Sequence, residues 1–211
     1  MIKENYQKIL TSLKKGTKLI AVSKGQDIDK IMALYEEGQR DFGENFLQEL
    51  IFKRQNLPKD INWHFLGNIQ SNKAVEIALH SRLIQSVSRK KILDILARSK
   101  VKKVNILLQL KLGNESTKSG FNAEEIKSVL KNKEDYKNIN FQGLMAIAEN
   151  IKNEDQLRLQ FQTAFHLYSS INKNKSNFNI LSMGMTSDFM YALDEGSNMI
   201  RVGTKIFGAR A

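Results

Sequence analysis

A lysine stands at the end of the apolar run LIAVSK, where Leu19 to Val22 give way to Ser23, Lys24 and Gly25. An amine placed where a buried strand becomes a loop is partly desolvated, and desolvation favours its neutral form. A neutral amine attacks aldehydes to give a Schiff base. On these six residues alone the plainer reading, a lysine that ends a strand and points into solvent, is the default. Two distant stretches carry chemistry of another kind. SMGMTS, from Ser182 to Ser187, and RVGT, from Arg201 to Thr204, each join a glycine to hydroxyl groups just after an apolar run. Gly184 and Gly203 allow close backbone approach to an anion, and Ser182, Thr186 and Thr204 supply hydroxyl donors. A helix starting near Ser187 and Asp188 would aim its first amides at the same place. Either segment alone reads as a tight turn and a helix cap; the two together point to a phosphate. Arg201 lies two residues before Gly203 and shares its face of the strand. An inward arginine needs a partner, either a core salt bridge or an acceptor on a bound group, such as a phosphate oxygen or a ring nitrogen.

The elements that must position these groups follow from periodicity. Tyr6, Ile9, Leu10 and Leu13 recur at helical spacing, which predicts a helix over residues 1–14 that Gly16 ends. Short apolar runs then alternate with helical patterns. Strands are expected at 18–23, 40–43, 62–66, 83–87, 104–110, 139–144, 179–183 and 199–202. Helices are expected between them, among them 45–55, 70–80, 154–171 and 188–195. The polar loop LGNESTKSG should follow the fifth strand, and the tail TKIFGARA has room for about one turn of helix. Strand and helix in strict alternation predict βαβ units and a parallel sheet. Eight repeats predict an α/β chain closed as a single (β/α)8 TIM barrel, with the extra N-terminal helix covering the position of a missing final helix. An open doubly wound sheet would carry a glycine-rich phosphate turn after the first strand, and AVSKGQD is not one.

Barrel chemistry sits at the C-terminal ends of the strands. Those ends read Lys24; Glu44 and Asn45; His64 to Gly67; Ser86; Lys111; Met145; Ser182 to Thr186; and Arg201 to Thr204. Closure makes the first strand a neighbour of the last, so Lys24 and the phosphate cradle share one mouth. A lysine that forms an aldimine beside a phosphate clamp is the signature of pyridoxal 5'-phosphate (PLP) binding.

Composition bounds the alternatives. The 211 residues are 41% hydrophobic and 26% charged, as expected of one globular domain spanning 1–211. No cysteine is present, which removes thiolate chemistry, and three scattered histidines (His64, His80 and His166) argue against a dedicated metal site. MIKENYQKIL lacks an apolar signal core. No apolar run reaches the roughly 18 residues of a membrane span. A cytoplasmic protein is expected. The net charge of +11 admits a nucleic-acid partner, but stretches such as KNKEDYKNIN disperse the lysines as solvated helix faces.

The motifs LIAVSK, RDFGENFLQE, WHFLGNIQSNK, LIQSV, ESTKSGF, FQGLMAI, LSMGMTSDFMYAL and GSNMIRVGTKIFGAR occur in this order. Together they closely resemble the YggS/PROSC family of pyridoxal-phosphate homeostasis proteins, from about residue 18 onward. The resemblance implies a barrel like the N-terminal domain of alanine racemase, with Lys24 as the aldimine lysine. It also implies Asn45 near the ring hydroxyl, His64 near the pocket, and Met145 and Met183 lining it. Ser182, Thr186, Gly203 and Thr204 would hold the phosphate, with Arg201 close to the ring nitrogen or phosphate. The family often has Thr-Lys and then proline after the lysine; here Gly25, Gln26 and Asp27 stand there, which puts a basic rim on that loop in question. Thr186 replaces a common serine and keeps the hydroxyl.

Racemases resembling this barrel add a second domain and a tyrosine base across a dimer. The tyrosines here (Tyr6, Tyr35, Tyr136, Tyr168 and Tyr191) fall on expected helices or their flanks. The resemblance therefore implies a PLP carrier without catalytic residues that affects cofactor supply to other proteins, with PLP-dependent apo-enzymes as candidate partners. A monomer is expected because no long coiled-coil pattern is present. A racemase-like enzyme and a basic nucleic-acid-binding protein are the alternatives.

Overall fold

The protein is described by a computed structural model covering residues 1–113, 119–151, 153–172 and 177–208. Most of the polar loop after the fifth strand, including the ESTK part of its motif, and the last three residues of the tail lie outside the described residues.

Eight parallel strands close into a barrel in sequence order. They are β1 (Lys18–Val22), β2 (Asp41–Glu44), β3 (Asn62–Phe65), β4 (Leu83–Val87), β5 (Val104–Leu110), β6 (Ile139–Ala146), β7 (Ile180–Ser182) and β8 (Met199–Val202). Closure is made by β1 and β8, with Ile20 opposite Arg201 and Ala21 opposite Val202. The helices are α1 (Ile2–Ser12), α2 (Ile28–Glu36), α3 (Leu47–Asn56), α4 (Ala74–His80), α5 (Lys90–Ala97), α6 (Ala123–Lys131), α7 (Glu154–Asn172), α8 (Phe189–Asp194) and α9 (Thr204–Phe207). None of them is long and apolar enough to cross a membrane, among the described residues.

Side chains alternate along each strand, and that alternation builds two cores. Outward residues such as Leu19, Phe42, Trp63, Ile84, Leu144 and Ile200 pack against the helices. Inward residues Ile20, Leu83, Leu107, Met145 and Met199 fill the lumen, so the barrel is a packed core and not a pore. The expected N-terminal helix takes the expected place: the Asn5 side-chain amide donates to the Ile206 carbonyl of α9. Strand β6 runs two residues beyond its expected end because it keeps pairing with β5 as far as Leu110 and Ala146. Gly143 makes its approach to β7 close, since a Cβ there would overlap the Ile180 carbonyl. A capping box fixes the start of α6, with the Asn122 side chain accepting from the Glu125 amide and the Glu125 carboxylate from the Asn122 amide.

Candidate functional site

A cavity of about 380 Å³ opens at the C-terminal ends of the strands. Lys24 reaches it from the turn after β1, Asn45 from the end of β2, and Met145 from β6. Next to Lys24 stand Arg201, Gly203 and Thr204 from β8 and its loop, with Thr186 and Ser187 from the loop after β7 beyond them. Val22, Leu66, Ile147 and Met185 complete an apolar wall. The lysine, the hydroxyl groups and the arginine, far apart in sequence, thus meet in one chamber, as barrel closure requires.

Each neighbourhood has a local cause. A Cβ on Gly67 would overlap the Asn45 carbonyl, so glycine lets the loop after β3 lie against the end of β2. Gly203 sits at the rim with Val22 O 3.1 Å from where its Cβ would be, and its amide donates to Thr186 Oγ1 at 3.3 Å. That bond ties the loops after β7 and β8 together beside the cavity.

Arg201 forms the floor. It is 4% exposed; one terminal nitrogen donates to Ser182 Oγ at 2.7 Å and the other to the Ala146 carbonyl at 2.9 Å. Burial lowers the guanidinium pKa, with Asp188 opposing, yet an arginine stays a cation at neutral pH. Neither of these two acceptors is anionic, and its five donors exceed these two bonds. The electrostatics of the floor therefore favour an anion or a strong acceptor above it. That charge, with the hydroxyls and the Gly203 approach, suits a phosphorylated heteroaromatic aldehyde, and the apolar wall suits its ring.

Four expected site residues, His64, Ser182, Met183 and Gly184, do not line the cavity. His64 lies one layer lower in the lumen, because Leu66, two residues on, takes the place at the mouth. There His64 Nε2 meets Asp41 Oδ1 at 2.9 Å and Nδ1 meets Gln85 Nε2 at 3.0 Å. Ser182 lies behind Arg201 and donates to Gln85 Oε1 at 2.7 Å. Met183 faces the opposite way, into the core between barrel and helices. Gly184 has φ +95°, and its Cβ would meet Ala192 of α8 at 2.6 Å, so it serves a turn and helix packing.

Three lining residues were open to recognition by parity: Val22, Leu66 and Ile147 each lie two residues from Lys24, His64 or Met145. Ser187 and Met185 belong to the SMGMTS run itself. A buried ionic cluster outside the barrel wall went unrecognised. Lys53 of α3, 3% exposed, bonds Glu44 Oε1 at 2.8 Å and Glu49 Oε1 at 2.6 Å. Burial raises the Glu44 carboxyl to about 7, against the pull of Lys53 and Ser23.

A closed parallel barrel with a strand-end lysine beside hydroxyls and glycine at its mouth defines the alanine racemase N-terminal-domain class, and the family model of that description matches residues 1–211. Within this class the chain belongs to the family of pyridoxal phosphate homeostasis proteins. It is 37% identical to the protein of that name from Haemophilus influenzae, over 97% of this chain and 92% of that one. It is 38% identical to the one from Synechocystis, over 97% of each. PipY of Synechococcus elongatus, solved without PLP, superposes with a TM-score of 0.92 at 32% identity, covering 99% of this chain and 100% of that one. PipY with PLP bound gives 0.88 at 31% identity, with the same coverage. Alanine racemase from E. faecalis shares the fold, with a TM-score of 0.77 at 18% identity over 99% of this chain and 57% of that one.

Proposed function

We propose that this chain binds PLP through Lys24 and takes part in vitamin B6 and amino-acid homeostasis by holding and releasing it, without efficient catalysis of its own. The observation that carries this is the meeting of Lys24 with Thr186, Gly203, Thr204 and Arg201 around one cavity of about 380 Å³. The naming of the relatives and the bound PLP of PipY support it.

When bound, the cofactor supplies an electrophilic aldehyde. The Lys24 amine adds to that carbon and one water leaves; returning the water frees both partners, so the tether is reversible. Thr186, Ser187, Gly203 and Thr204 hold the phosphate, Asn45 meets the ring hydroxyl, Met145 packs on the ring, and Arg201 faces it from below. Proton transfer at a substrate carbon needs a positioned acid or base. Apart from Lys24, the described lining has no histidine, tyrosine or carboxylate. The carrier is taken as a single-domain cytoplasmic monomer, with PLP-dependent apo-enzymes as recipients.

Purified protein mixed with PLP should develop an absorbance band that borohydride abolishes, with mass added on the peptide containing Lys24. Wild-type protein that takes up no PLP would refute the proposal. Turnover of an amino acid by the loaded protein, abolished in Lys24→Ala, would establish the racemase-like alternative instead.

A further inference from the structure

The backbone on both sides of Lys24 is held by one ionic cluster, with Lys53 and Glu44 buried and Glu49 partly exposed. Lys53 Nζ donates to the Ser23 carbonyl at 2.6 Å, immediately before Lys24. Ser23 Oγ donates to Glu44 Oε1 at 2.6 Å. Immediately after Lys24, the Gly25 amide donates to Glu49 Oε1 at 2.6 Å. One ammonium therefore joins a carbonyl and two carboxylates that grip residues 23 and 25, while Lys24 itself projects to the cavity on the other face of the wall. Lys53 and Glu44 are 3% and 0% exposed. Burying such a cluster is costly, and apolar residues of similar volume usually serve stability as well or better. The second oxygen of Glu44 has no partner among the described residues, a further sign that the cluster is not arranged for stability alone.

We infer that Lys53, with Glu44 and Glu49, is a positioning device for Lys24: it fixes the turn so that the amine meets the aldehyde in the geometry the tether requires. This rests on Lys24 being the attachment point. Charge-assisted hydrogen bonds are short and directional; two of these bonds hold the two peptide groups that set the direction of the Lys24 side chain, and the third anchors the Ser23 side chain. The Gln26 amide also closes the turn on the Ser23 carbonyl at 3.0 Å, and the cluster adds a hold on the Gly25 side that this bond does not supply.

The test is a mutant cycle. Glu44→Gln/Lys53→Met removes the pair together, which avoids an isolated buried charge. In unloaded protein, exchange of the Gly25 amide should become at least several-fold faster. In the Lys24 background, PLP affinity should fall on the order of tenfold, the loss of one hydrogen bond to a charged group. In the Lys24→Ala background, the same pair of substitutions should leave residual PLP affinity unchanged. Equal weakening in both backgrounds, or none in either, would overturn the inference, as would an unchanged Gly25 exchange rate. If the double variant does not fold, Glu49→Ala, at a position 23% exposed, takes its place with the same expectations. Failure of wild-type protein to bind PLP would refute the attachment role itself, and the cycle distinguishes that outcome from failure of the positioning role.

Discussion

Gln85 Nε2 lies 3.0 Å from His64 Nδ1 in the barrel lumen, and this contact fixes the direction of a hydrogen-bond chain through the fold. Arg201 only donates, so Ser182 Oγ accepts from it and passes its own proton toward Gln85 Oε1. The Gln85 amide is thereby oriented with its NH2 toward Nδ1. His64 must accept there and donate from Nε2 to Asp41. Burial pushes the Asp41 carboxyl up, but His64 and Lys18 outweigh it and hold it below the usual range, so it accepts as a carboxylate. The cationic floor of the cavity is thus joined to an anion at the opposite end of the barrel.

His64 should therefore be neutral and protonated on Nε2 at neutral pH. Burial lowers its pKa, with Asp41 opposing. A depressed histidine pKa gives stability that is present above the ordinary value and lost as pH falls through the lowered one. Nitrogen-15 imidazole spectra should show Nδ1 bare, and a protonated Nδ1 at pH 7 would contradict the chain direction.

Gln85→Leu should destabilise by roughly 2–4 kcal/mol, because it strands the acceptor at His64 Nδ1 and leaves Ser182 without its acceptor in a dry lumen. Chemical denaturation would measure this. A loss below ~0.5 kcal/mol, as at surface sites, would mean the chain does not contribute to stability.

Glu44 has the opposite pH dependence to His64. Its folded pKa, about 7, lies above the ordinary glutamate value. A raised carboxyl pKa gives stability that is complete below the unfolded value and lost as pH rises through the folded one. Glu44→Gln should flatten the decline in stability between the two values. Unfolding curves taken across that window check it; an unchanged slope would show that Glu44 titrates normally.

The barrel was legible because its signals are local. Strand parity and helix spacing read from a few consecutive residues, and Met199 to Val202 came out with the expected bounds. The cavity was partly legible, since Lys24, Asn45, Thr186, Arg201, Gly203 and Thr204 lie at strand ends or rims that closure brings together. The lumen chain was not. Asp41, His64, Gln85 and Ser182 come from β2, β3, β4 and β7 and share no local pattern. His64 looked like a mouth residue because NWHFLG does not show where β3 stops. Glu44 and Asn45 are adjacent polar residues at one strand end; only parity sends Asn45 to the cavity and Glu44 to Lys53.

The two glycines once expected to share a phosphate role should separate on substitution. Gly184→Ala puts a side chain at φ +95° with Ala192 Cβ 2.6 Å and Phe189 Cα 2.8 Å from the new carbon. Strain and overlap should cost about 2–4 kcal/mol of stability. Gly203 has φ −118°, a conformation alanine adopts, and its nearest atom is Val22 O at 3.1 Å. Gly203→Ala should cost less than about 1.5 kcal/mol of stability, the scale of a modest packing change. Its methyl group stands at the cavity rim, so PLP affinity should fall several-fold. Thermal melts and PLP titrations of both variants check the split. Equal PLP affinity for Gly203→Ala and wild type would move the phosphate away from the β8 rim.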